Sequence, residues 1–290
     1  MAEEAWQRWG AEDERGALNL ISADETRYAA SLVREGRVIS LAQPISAEMP
    51  APPKRARPVH FMDRDAGDYA NGARKPGGFQ FSDDTLLMPL HLGTHIDCLC
   101  HIWYGERLYN GFEQGVVRSA GSLRCDAVSM GPVVTRGVLL DFVVQNGGPL
   151  ADGEAITASR LNDLLTKDCV TLRRGDAILI RTGWEETHVS NGTADFNAEP
   201  GLDVDAALIL ARADVALIGA DNYAIEVLPF APGTVFPVHQ RLIRDYGIPL
   251  LEGLVLRELA EAGRTEFLFM MSPLPIKGAT ASPVAPIVVL

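Results

Sequence analysis

Seven short apolar runs rich in β-branched residues punctuate the chain, at 38–45, 85–91, 137–144, 177–182, 215–219, 267–271 and 287–290. Their length and the Gly, Pro and Asp around them predict strands. Between some of them the spacing becomes helical. The stretch 23–35 follows Ser22, and Glu25 stands where a capping box needs it. The stretch 158–167 follows Thr157, a good N-cap. Residues 204–213 are apolar over much of the helical surface, which predicts a buried helix. The stretch 237–246 begins on Pro237, tolerated in a first turn, and stops before Gly247; the stretch 254–262 stops at Gly263.

Strands outnumber helices, do not alternate regularly with them, and the first 150 residues carry little helix. A doubly wound parallel sheet requires regular alternation. The pattern instead predicts an α/β or α+β fold with a mixed β-sheet, in a single domain over 1–290. Residues 51–81, rich in Pro, Gly, Arg and Asp, have no clean period and read as a long loop or lid, a kind of segment that is often functional.

Composition narrows the function classes. With 290 residues and 47% hydrophobic content a sizeable core can be buried. The net charge of −12 argues against nucleic acid or an anionic membrane surface as the main partner. It leaves small anionic substrates open, because a bound divalent ion reverses the field locally. The start of the chain lacks a basic stretch followed by an apolar run, and no run reaches the roughly 18 apolar residues of a membrane span. A cytoplasmic protein is expected, with Cys98, Cys100, Cys125 and Cys169 as free thiols. The chain has no Gly-x-Ser-x-Gly elbow and no phosphate loop.

The chemistry concentrates in one place. Of six histidines, His91, His95 and His101 fall within eleven residues, together with Asp97. Imidazole and carboxylate at this density suit a divalent cation such as Zn²⁺ or Mn²⁺. Positions 91, 93, 95 and 97 alternate, so a strand would place them on one face. A flat strand would still separate His91 from His95 by roughly 13 Å, too far for two ligands each about 2 Å from one ion. The spacing therefore requires a bend, and Gly93-Thr94 is where it is expected. Asp97 has two oxygens and can bind one ion or bridge two. His101 can be a further ligand or a free general acid/base. The aromatics Trp103, Tyr104, Phe79 and Phe81 flank the cluster and can wall a planar substrate or simply pack. His60, beside Phe61 in the lid segment, is a candidate substrate contact, and His188 reads as a solvated loop residue.

At these residues the chain resembles the metal-dependent cyclase family, which includes bacterial kynurenine formamidases and isatin hydrolases. The signature H-x-G-T-H-x-D-x-P-x-H is matched by His91, Gly93, Thr94, His95, Asp97 and His101, with Leu99 where the family usually has proline. Weaker matches run from Trp9-Gly10 and 13–19, through 175–184 and Pro237-Val238-His239, to Gly247-Ile248, Glu252 and 273–283. The resemblance implies a swivelling β/β/α fold. It implies His91, His95 and Asp97 as metal ligands, His239 and Glu252 as completing a second metal position, and Gln240 as a weaker candidate. It implies His101 as the acid/base in hydrolysis of an aryl formamide or a cyclic amide such as isatin by metal-activated water, with one or two Zn or Mn ions. It also implies a homodimer or higher homo-oligomer whose N-terminal segment, with Trp6 and Trp9, reaches a neighbour. A metal-dependent cyclase, lyase or lactone hydrolase on the same ligands, and a metal-binding protein without turnover, are the competing readings.

Overall fold

The computed structural model describes residues 5–73 and 75–290. Nine strands form one sheet: β1 (Val38–Ser40), β2 (His95–Asp97), β3 (Val133–Asp141), β4 (Ala177–Arg181), β5 (Leu217–Ala220), β6 (Leu250–Glu252), β7 (Glu266–Met271), β8 (Ala281–Pro283) and β9 (Ile287–Val289). Their order is β1-β9-β7-β3-β4-β5-β6-β2-β8. The four central strands, β3 to β6, are parallel, and antiparallel strands flank them on both sides. Parallel strands are covered on both faces and therefore read as unbroken apolar runs. Accordingly, Leu217–Ala220 and Leu250–Glu252 are buried throughout.

The sheet is curled, and chain length alone requires it. β8 and β9 are seven strand positions apart, about 34 Å in a flat sheet at about 4.8 Å per strand. Residues 284–286 join them, a reach of about 15 Å at most. Curling brings the two edges together, and backbone hydrogen bonds hold them there: Leu41 N–H to the Pro286 carbonyl, Val284 N–H to Thr94 and Val255 N–H to Leu41.

Helices cover the sheet much as the pattern predicts. α1 (Ala23–Ala30) carries the Ser22–Glu25 capping box, α2 (Ala158–Lys167) is capped by Thr157 and α3 (Val204–Arg212) by Asp203. Pro237–His239 begins helical and widens into a π-helical turn, Gln240–Asp245. The last predicted helix shrinks to Arg257–Glu261, with Gly263 at φ +67° beyond it.

Three expectations need correction. β3 ends at Asp141, because the Asp141 carboxylate caps a short helix, Phe142–Asn146, closed by Gly147 in a left-handed conformation. The run expected at 85–91 is the strand Asp83–Leu87, which stops short of Pro89; proline lacks the N–H a ladder needs and restricts the residue before it. The segment 51–81 is not an irregular loop: Val59–Arg64 pairs antiparallel with Asp83–Leu87, and a capped helix, Ala66–Ala70, lies between them. This arm exposes Val59, Phe61, Met62 and Leu87. Trp6 and Trp9 pack against their own chain; Trp6 donates from Nε1 to the Arg244 carbonyl and lies under its guanidinium. No helix of the described residues is long and apolar enough to cross a membrane.

Candidate metal centre

The chain turns where the spacing requires. Gly93 sits at φ +64°, and β2 starts only at His95. The turn brings His91 Nδ1 to 2.6 Å from Asp97 Oδ1, across six residues that would span roughly 20 Å if extended. Gly253, at φ +66°, makes the complementary turn after β6; a Cβ there would meet the Gly93 carbonyl at 2.7 Å. The Thr94 hydroxyl donates to the Gly253 carbonyl, tying the two turns together.

Antiparallel register does the rest. Glu252 lies directly opposite His95, so both side chains leave one face of the sheet, and Asp97 follows two residues on. His95 Nε2 is 3.2 Å from Glu252 Oε2. His239, from the start of the π-helical segment, closes the group from the side, with Nε2 3.1 Å from Glu252 Oε1 and 3.8 Å from Asp97 Oδ2. His101 Nε2 lies 3.8 Å from Asp97 Oδ2, and its ring sits 4.0 Å from that of His91.

Two overlapping sets of donor atoms result, His91/Asp97/His101 and Asp97/His239/Glu252, each with its atoms within 4.8 Å of one another. Asp97 belongs to both. His91 Nδ1, His95 Nε2 and Asp97 Oδ1 are buried without an aligned hydrogen-bond partner, although His91 and Asp97 are close. Orphaned buried polar atoms are costly unless something else satisfies them. Here they converge from side chains whose nitrogen and oxygen donors suit a divalent ion, so the residues present fit a metal.

The far side of three of the four imidazoles is already occupied. His95 Nδ1 meets the Gly93 carbonyl at 2.9 Å, His91 Nε2 meets Thr280 Oγ1 at 3.0 Å, and His239 Nδ1 meets Glu226 Oε1 at 2.6 Å. Such outer partners fix ring orientation and leave the other nitrogen free for an ion. Glu226 also accepts the backbone N–H groups of Val238 and His239.

Without an ion, the charges rest on protons. Burial by itself would lower His239, but hydrogen bonds to Glu226 and Glu252 outweigh it and raise the group to about 10. His95 is raised by Glu252 against the same burial penalty. Burial would raise Asp97, yet the surrounding imidazoles of His101 and His91 hold it well below the usual carboxylate range. His101 goes the other way: burial pushes it down to about 4 against the pull of Asp97, so it is neutral at pH 7.

Other sequence candidates have partners outside this cluster. Gln240 turns its amide to the Val235 carbonyl. Trp103 is exposed and donates to Gln114. Phe81 stacks on Phe79 in the arm, and His60 pairs with Asp84 on the arm's exposed strands. A different aromatic wall stands beside the cluster. Tyr223 lies 6.2 Å from the His95 ring, Phe196 packs edge-on against Tyr223, and Trp184 against Phe196. With Leu92, Gly93 and Gln43 they line a narrow cleft. Sequence reasoning missed Tyr223, Glu226, Thr280 and Arg55, whose guanidinium bonds the His91 carbonyl. A usable signal existed for two of them. Asp221-Asn222-Tyr223 and Glu226 follow the buried parallel strand β5, and the carboxyl ends of parallel strands are where α/β sheets bind ligands.

Comparison with known proteins identifies the family and the fold. The family model described as "Putative cyclase" matches residues 39–227, well over half the chain. The chain belongs to this cyclase family. A crystal structure described as a novel cyclase is 37% identical, with a TM-score of 0.92, covering 99% of this cyclase-family chain and 100% of its own. Isatin hydrolase A from Labrenzia aggregata shares the fold at 19% identity and a TM-score of 0.64, covering 90% of this chain and 94% of its own. A predicted metal-dependent hydrolase from Bacillus stearothermophilus does so at 21% identity and 0.56, covering 87% and 97%. No curated protein matches the chain. Metal-dependent and isatin hydrolases thus figure among the proteins that share this cyclase-type fold.

Proposed function

We propose that this cyclase-family protein is a metal-dependent hydrolase that opens the acyl–nitrogen bond of a small aryl formamide or cyclic amide. The observation that carries the reading is the pair of donor sets sharing Asp97, buried on all sides but one. His95, Asp97, His239 and Glu252 are almost wholly buried, whereas the side chains of His91 and His101 are 14% and 24% exposed. Substrate therefore approaches past His91 and His101. A closed structural site would have no such side.

His91, His95, Asp97, His239 and Glu252 would hold one or two ions, Zn or Mn. A divalent ion there supplies Lewis acidity and lowers the pKa of water at neutral pH. His101, neutral and at the open side, takes the proton of the attacking water through its imidazole and returns it to the leaving nitrogen. The two thiols beside Asp97 in sequence compete poorly as nucleophiles: burial holds Cys98 protonated and pushes Cys100 up to about 12. The Trp184–Phe196–Tyr223 wall suits a planar ring.

Incubation of the metal-loaded protein with a panel of formamides, lactams and lactones in ¹⁸O-water tests the reading. Incorporation of one labelled oxygen into an acid product is expected. Turnover without label would sink it in favour of a lyase or cyclase reaction, which the family description independently suggests.

A further inference from the structure

Arg55 reaches the centre from outside the sheet, on the stretch of chain leading into the exposed arm. Its guanidinium lies over the Tyr223 ring, 5.1 Å from the centroid, and Nη1 donates to the carbonyl of His91. The ring and the carbonyl fix the position of a side chain that would otherwise be free to move. Arg55 is half-buried, and the acids whose field it feels are Glu252 and Asp97. Neither forms an ion pair with it; among the described residues no carboxylate comes within 4.0 Å of the guanidinium.

That arrangement is unusual for an arginine. A partly desolvated cation without a counter-ion is costly. The guanidinium has five donors in a planar fork suited to a carboxylate, and the hydrogen bond described uses Nη1. No carboxylate pairs with Arg55 among the described residues, in a chain whose net charge is −12. A residue held over an aromatic wall with spare donors is placed to receive an anion that arrives with the ring.

We propose that Arg55 recognises a carboxylate carried by the substrate, so that the site takes small planar amides bearing a carboxylate, with the ring against Tyr223 and the carboxylate on the guanidinium. This rests on the hydrolase reading for the reaction but not for the binding. Benzoate and benzamide, nearly isosteric and differing in charge, are the probes, titrated calorimetrically into the metal-loaded protein with metal content measured in every sample.

Wild type is expected to bind benzoate roughly tenfold more tightly than benzamide, the scale of a charge-assisted hydrogen-bonded pair. Arg55→Met should bring benzoate down to the level of benzamide and leave benzamide within about twofold of wild type. Arg55→Lys, which keeps the charge and loses the fork, should fall between. The proposal is overturned if wild type shows no preference, if the preference survives Arg55→Met (the ion itself then holds the anion), or if both variants lose both ligands. The two readings fail separately. Arg55-dependent benzoate preference without any amide turnover removes the hydrolase and keeps the anion site; amide turnover without that preference does the reverse.

Discussion

Two histidine–aspartate pairs in this protein have the same separation. His60 and Asp84 stand 2.6 Å apart on the arm, and His91 and Asp97 stand 2.6 Å apart in the metal centre. Their surroundings differ. The first pair is 53% and 59% exposed; in the second, Asp97 is 1% exposed and three further imidazoles and a carboxylate crowd around it. Water screens the first pair, whose removal costs at most about 1 kcal/mol. The second keeps its charges only because they compensate one another, and its orphaned atoms point at a common place. Distance alone is therefore uninformative; density of donors and exclusion of water separate a surface ion pair from a site.

The sharpest way to break the comparison is to make the same substitution in both pairs. Asp97→Asn removes the carboxylate common to both donor sets. It is expected to weaken divalent-ion binding by more than the roughly 10–100-fold that loss of an outer partner costs, and to remove turnover with it. Asp84→Asn should leave both unchanged. Elemental analysis and metal titration decide, and equal effects would sink the assignment of the centre.

Next comes His101→Asn, which should lower kcat by about 10²–10⁴ with metal content intact. Wild-type activity should fall as the pH drops toward about 4, where His101 takes up a proton. A variant that turns over at the wild-type rate with metal bound removes His101 from the reaction.

Glu226→Ala strips the partner from His239 Nδ1 and from two backbone N–H groups. A drop of about 10–100-fold in metal affinity is expected, read by competition with a chelating dye. Unchanged affinity would reduce Glu226 to a backbone support.

A gentler probe is pH. The raised value of His239 means that its proton stabilises the ion-free fold fully below pH 6.5, and that this contribution is lost as pH rises through about 10. An ion must displace that proton, so affinity should rise with pH over this window. Calorimetry at pH 8 in buffers of different ionisation enthalpy should report about one proton released per ion; zero release would show that His239 keeps its proton. The smallest effect belongs to the arm: His60→Ala should shift stability by less than about 1 kcal/mol, and a larger loss in thermal unfolding would mean the arm pair is not solvated as described.

Much of this was legible before any coordinates. The strands β4, β5, β7 and β9 and the helices capped by Ser22 and Thr157 follow from local patterning, and the bend at Gly93 follows from arithmetic on ligand reach. His239 and Glu252 needed the family resemblance, because nothing local marks them; only the antiparallel register of β6 on β2 sets Glu252 opposite His95. Thr280 and Arg55 were illegible for the same reason, and only its place after β5 marked Glu226. Each acts through a partner more than ten residues away in sequence, and a one-dimensional pattern does not record such pairings. The arm misled in the other direction: its polar, Gly- and Pro-rich sequence hid a hairpin, on which His60 pairs with Asp84 and Phe81 stacks on Phe79.

The three-residue link between β8 and β9 bears on the order in which the molecule is made. β8 pairs with β2, and Thr280, just before it, holds His91. Until residues 280–283 have left the ribosome, β2 lacks its outer neighbour and His91 lacks its brace. A nascent chain halted at residue 260 would already carry every one of the five proposed ligands, yet would lack the strand that closes the sheet around them. Ion capture should therefore wait for residues 280–283, and a chain truncated before Thr280 should be unable to retain metal.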